Sequence, residues 1–60
     1  MGKKKYSEKI QYILERIGYD KIVETYEDKY TTEVVVKMGG DYLRYSLYIT
    51  SDGEWMITER

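Results

Sequence analysis

Sixty residues with no Cys and no His make one small domain that lacks both disulfides and the commonest metal ligands. A formal net charge of −1, with charged residues at 35%, describes a solvated surface of mixed sign rather than the basic footprint that non-specific nucleic-acid binding needs. A chain this short buries only roughly 60% of the surface it exposes when unfolded, so its core must be efficient or be completed by a second copy.

The first five residues carry Lys3, Lys4 and Lys5 and read as a loose, solubilising basic tail. They lead into an amphipathic pattern rather than an unbroken apolar one. The expectation is therefore no signal peptide and, by default, a cytoplasmic location. A helix is predicted over residues 7–17. Ser7 is its N-cap, Glu8 suits its positive end, and Ile10, Ile13, Leu14 and Ile17 form one apolar stripe that Tyr6 extends backwards. Glu8, Gln11, Glu15 and Arg16 take the wet side, and Gly18 is expected in the left-handed C′ position.

Four strands follow. The first spans 21–27. There Ile22, Glu24 and Tyr26 share one side and Val23, Thr25 and Glu27 the other; neither side is cleanly apolar, which suits an edge strand. The second spans 31–38, with Thr32, Val34, Val36 and Met38 on its apolar face. The third, 41–50, alternates most clearly: Leu43, Tyr45, Leu47 and Ile49 against Tyr42, Arg44, Ser46, Tyr48 and Thr50. The fourth spans 54–59.

The turns fix the register. A two-residue type I′ turn at Gly39-Gly40 sets Met38 opposite Asp41, Val36 opposite Leu43 and Val34 opposite Tyr45. A three-residue loop at Ser51-Asp52-Gly53, with Gly53 left-handed, pairs Ile49 with Trp55 and Leu47 with Ile57. A two-residue Asp52-Gly53 turn would strand Trp55 and Ile57 outside. Burying a large apolar side chain contributes roughly 1.5–3 kcal/mol, so the three-residue loop is expected. The fold class is α+β: one N-terminal helix on one face of a four-stranded antiparallel meander, αββββ. The core partners on the sheet are Val34, Val36, Leu43, Tyr45, Leu47, Ile49, Trp55 and Ile57, with Trp55 buried.

The residue inventory argues against catalysis. Nucleophilic triads lack their base, every Lys falls at a polar position, and the acidic residues fall on turns and the outer face with nothing to form a cleft. Asp52-x-Glu54 lacks calcium-loop spacing, and Gly39-Gly40 precedes a strand, not a helix, so it is no phosphate cradle. The expectation is no enzyme, no cofactor, no metal, no membrane span and no small-molecule substrate.

What remains is the outer sheet face, where Lys37, Tyr42, Arg44, Tyr48 and Met56 are expected to form the binding surface, beside Val35. Tyr, Arg and Met are enriched at protein interfaces, and a partner protein or a two-fold dimer is the first reading. Aromatics with basic residues on an open sheet also stack bases and hold phosphates, so a single-stranded nucleic-acid binder is the alternative. Glu33, Glu54 and Glu24 or Glu27 oppose it by repelling phosphate. Plain cross-strand packing is the third reading. The absence of Asn and Cys with abundant Glu and Lys fits a heat-adapted source and equally a computational design without biological function. The size is also common among small viral regulators and inhibitors.

The run from Glu24-Thr25 through Lys37-Met38-Gly39-Gly40, after a short helix, loosely resembles the first half of a double-stranded RNA-binding domain. That family adds a second helix opening with phosphate-gripping lysines. This chain ends in a strand instead, so no residue role is carried over.

Overall fold

A computed structural model describes residues 6–59; the basic tail lies outside that range. Helix α1 (Glu8–Arg16) is followed by β1 (Lys21–Glu27), β2 (Thr32–Met38), β3 (Asp41–Ile49) and β4 (Trp55–Glu59). The strands form one antiparallel sheet in the order β1-β2-β3-β4, and the helix lies over β2 and β3.

The helix starts as its sequence dictates. The Ser7 hydroxyl accepts from the Ile10 amide at 3.3 Å, and Glu8 occupies the positive first turn. Its end is different from the expectation. Gly18 does not have positive φ; the helix stops because Ile17 turns extended, at φ −115 and ψ 162. The glycine serves another purpose: a Cβ at position 18 would sit 3.2 Å from the Met38 methyl group. Gly18 is therefore a point of close approach between the helix exit and the end of β2.

Both hairpin turns adopt the expected geometry. Gly39 and Gly40 have φ of +58 and +93, as a type I′ turn requires, and Met38 pairs with Asp41. Asp20 braces this turn. Its carboxylate accepts from the Gly39 amide at 2.9 Å, while its own amide donates to the Lys37 carbonyl at 2.8 Å. In the last hairpin the Thr50 amide donates to the Glu54 carbonyl, the Gly53 amide to the Thr50 carbonyl, and Gly53 has φ +87. Ile49 accordingly pairs with Trp55 and Leu47 with Ile57.

The core is Ile10 and Ile13 of the helix against Val34, Val36 and Leu47 of the sheet. Tyr6, Tyr12, Leu14, Ile17, Ile22, Leu43, Tyr45, Trp55 and Ile57 pack around it, partly buried. Two expectations need correction. Ile49 is on the helix side of the sheet, opposite Trp55, but is 48% exposed. Trp55 is only partly buried, because it lies on the edge strand beside the helix rather than beneath it.

Strand β1 is also corrected. Its register shifts between Ile22 and Glu24, leaving Val23 as a β-bulge. The extra residue flips the alternation. Ile22 and Thr25 pair with Val36 and Val34 on the helix side, while Lys21, Glu24 and Tyr26 pair with Lys37, Val35 and Glu33 on the open side. After one inserted residue, the helix side of β1 carries Ile22, Thr25 and Glu27 and the open side Lys21, Glu24 and Tyr26.

Candidate functional site

The open face is arranged in rows across the strands. Lys21, Lys37 and Tyr42 form the first; Glu24, Val35 and Arg44 the second; Tyr26, Glu33, Ser46 and Thr58 the third; Tyr48 and Met56 the fourth. Alternation along each strand puts these side chains on the side away from the helix. Tyr42 is 67% exposed, Tyr26 51%, Tyr48 50% and Met56 41%. Only Ser46 is buried on this face, small enough to be covered by its neighbours.

The five residues expected from the sequence all lie here, but they do not form one cluster. Lys37 and Tyr42 are cross-strand partners, with the Lys37 ammonium 6.0 Å from the Tyr42 ring centre. Tyr48 and Met56 are cross-strand partners at the opposite end. Tyr42 and Tyr48 are six residue steps apart along β3, about 20 Å at strand rise. Arg44 lies between them and lines a shallow groove of about 210 Å³ with Glu24, Thr25, Tyr26, Glu33 and Val35.

Lys21 and Tyr26 join this surface, and the sequence reading missed both. The bulge at Val23 had hidden their side of the sheet. Lys21 stands directly opposite Lys37. Two like charges face to face cost stability, so this end of the face is a cationic corner beside an exposed aromatic ring.

Tyr26 is held by the β1–β2 loop. Its hydroxyl donates to Asp28 Oδ2 at 2.7 Å, while Asp28 Oδ1 accepts from the Tyr30 and Thr31 amides at 2.8 and 2.7 Å. The Tyr26 hydroxyl, then those amides, hold the Asp28 carboxyl below its ordinary pKa. The hydrogen bond to Asp28, and then its negative charge, push the Tyr26 hydroxyl up. A depressed carboxyl stabilises the loop above its unfolded value and stops doing so as pH falls through the lower folded value. We therefore expect the Tyr30 and Thr31 amide resonances to titrate together, with a midpoint below the ordinary Asp value of about 3.9. A midpoint at or above that value would show that the carboxylate does not organise the loop.

A second cluster lies at the β4 side of the helix. Tyr12 falls off the apolar stripe, yet its ring meets Trp55 edge-on, with centroids 5.0 Å apart, and its hydroxyl donates to the Trp55 carbonyl at 3.2 Å. The Arg16 guanidinium stacks on the Tyr12 ring at 3.6 Å and donates to the Tyr12 carbonyl. Tyr12, Arg16 and Trp55 line a groove of about 320 Å³ with Glu8, Gln11 and Glu15. The sequence signal for this cluster was an aromatic residue, Tyr12, four positions before Arg16, which the apolar stripe left unassigned.

Among the described residues no group of three acidic side chains converges to hold a metal ion, and no helix is long and apolar enough to cross a membrane. No protein-family model, curated protein or solved structure matches the chain. Function must therefore be argued from the surfaces themselves.

Proposed function

We propose that this domain is a small non-enzymatic binding module, of the regulator or inhibitor type, that engages protein through its open sheet face and also self-associates. One observation carries the reading: the helix covers a single face of the sheet, and the other presents Tyr26, Tyr42 and Tyr48 with half or more of each side chain in water. Tyrosine supplies contact area at low entropic cost and tolerates water when no partner is present. The face carries Lys21, Lys37 and Arg44 against Glu24 and Glu33, so its charges nearly balance. That suits a protein surface of mixed sign better than a polyanion.

The second reading, a single-stranded nucleic-acid binder, is favoured by the corner of Lys21, Lys37 and Tyr42. It is opposed by Glu24 and Glu33, which occupy the middle of the path a backbone would take.

The double change Tyr42→Ser with Tyr48→Ser tests the assignment. Both side chains point away from the core, so the far-UV circular dichroism should not change. A protein captured by the parent chain should be lost with the double variant and retained with Lys29→Ser, placed in the β1–β2 loop. Retention by the double variant would leave the face as ordinary sheet surface. Capture that collapses between roughly 50 and 200 mM salt would favour nucleic acid instead.

A further inference from the structure

The two edges of the sheet differ. Strand β1 is interrupted by the Val23 bulge and carries Lys21, Glu24 and Glu27. Strand β4 runs without irregularity from Trp55 to Glu59, and Glu59 is its one charged residue. Natural edges are blunted by bulges, charges and prolines; β1 has two of these features and β4 is only short.

The direction of the backbone groups on β4 follows from the hairpins. The Thr50 amide donates to Glu54, so the paired sites between β3 and β4 fall on Tyr48 with Met56 and on Ser46 with Thr58. The N–H and C=O groups of Trp55, Ile57 and Glu59 therefore point out of the sheet edge. The Tyr12 hydroxyl reaches one of them, the Trp55 carbonyl, from the helix side. A carbonyl oxygen has two lone pairs, so its in-plane acceptor site stays open.

We propose that a second copy of the chain pairs here, β4 against β4, antiparallel about a two-fold axis through Ile57. In that register Trp55 faces the partner's Glu59, Ile57 faces the partner's Ile57, and Glu59 faces the partner's Trp55. Every outward backbone group of these three residues then has a partner. No other two-fold register does this, because any shift leaves an outward group of β4 beyond the end of the facing strand. The side chains agree with it. Ile57, incompletely buried on the helix side, gains apolar cover from its own copy at the axis. The partner's Glu59 comes to the helix side of the sheet next to Trp55, at the groove where Arg16 is stacked on Tyr12. Besides its stack on Tyr12, Arg16 has a loose, exposed ion pair with Glu15 at 3.8 Å, which an incoming carboxylate could replace.

The pair is a continuous eight-stranded sheet with both helices on one side and both open faces on the other. This deepens the proposed function: self-association doubles the tyrosine face and leaves it unobstructed. The use of that enlarged face rests on the protein-binding reading. The pairing does not.

Glu59→Pro tests the edge, removing an outward amide together with the carboxylate that meets Arg16. The Glu59 amide makes no bond within its own sheet, so proline removes an outward donor and leaves the β3–β4 ladder intact. Sedimentation of the parent should show a concentration-dependent dimer. In Glu59→Pro the dimer affinity should fall at least about tenfold, since symmetry deletes two hydrogen bonds at once, with the circular dichroism unchanged. Arg16→Glu should also weaken the dimer, and Arg16→Glu with Glu59→Arg should restore it. A parent that stays monomeric at millimolar concentration would overturn the proposal. So would a dimer that survives Glu59→Pro, or one that Tyr42→Ser with Tyr48→Ser dissolves. The last outcome would place self-association on the open face and leave the protein-binding reading standing.

Discussion

Ile13→Ala should leave little folded protein at physiological temperature. Ile13 is fully buried, the one helix residue at 0% exposure, and it faces Val34 and Val36, which are equally closed off. Truncating such a residue removes its transfer free energy and leaves a cavity, for a loss of about 2–5 kcal/mol. A domain of this length has a total stability of about 3–9 kcal/mol at the usual per-residue value. With no disulfide to limit the unfolded state, nothing offsets the loss. Each kilocalorie shifts the midpoint of a small domain by about 4–8 °C, so thermal melting should move down by about 8 °C or more on that scale. Ile13→Val is the control and should cost about 0.5–1.5 kcal/mol. A melting point for Ile13→Ala close to that of the parent would mean that the helix does not form the core described here.

The second large effect is expected at Trp55. Trp55→Ala removes the ring that meets Tyr12 edge-on and packs against the core margin. Because part of the ring remains in water, the loss should fall at the lower end of the range of about 3–5 kcal/mol for buried aromatic truncation. Met56→Ala, one residue along and on the opposite face, should cost below about 1 kcal/mol. Chemical denaturation of both variants orders them. If Met56 proves the more costly, the last hairpin has the two-residue turn and the opposite register. Tyr12→Phe separates the hydrogen bond from the ring contact. It should cost about 0.5–1.5 kcal/mol, the net contribution of one such bond.

The fold was legible where two independent signals agreed. In β2 and β3 the period-two pattern and the Gly39-Gly40 turn specify the same register, and that register is found. In the last hairpin, turn chemistry alone left two options, and the burial of Trp55 and Ile57 decided between them correctly. The pattern failed where one residue carried the information. At β1 a single bulge inverts the two faces, and nothing in Lys21-Ile22-Val23-Glu24 marks Val23 as the inserted residue. The same failure hid Lys21 and Tyr26 from the open face. At the helix, the stripe found the core but left Tyr12 without a role, because periodicity describes where a Cα lies and not how far a long side chain reaches. Gly18 was assigned to the commonest use of a glycine after a helix, whereas the approach of Met38 is a tertiary contact with no local signature. The five candidate binding residues were placed on the correct face. Their division into two ends depends on distance along β3, which counting residues supplies once the strand is accepted.

The inserted residue at Val23 also bears on stoichiometry. An open sheet can in principle add chains without limit, each new strand presenting a fresh edge to the next. When β4 meets β4, the outer borders of the pair are two copies of β1, and each is broken after Ile22. A further chain approaching that border meets the Val23 bulge and the charges of Lys21, Glu24 and Glu27. In the proposed dimer, such borders would disfavour growth beyond two copies. One extra residue in a seven-residue strand would then separate a counted assembly from a filament.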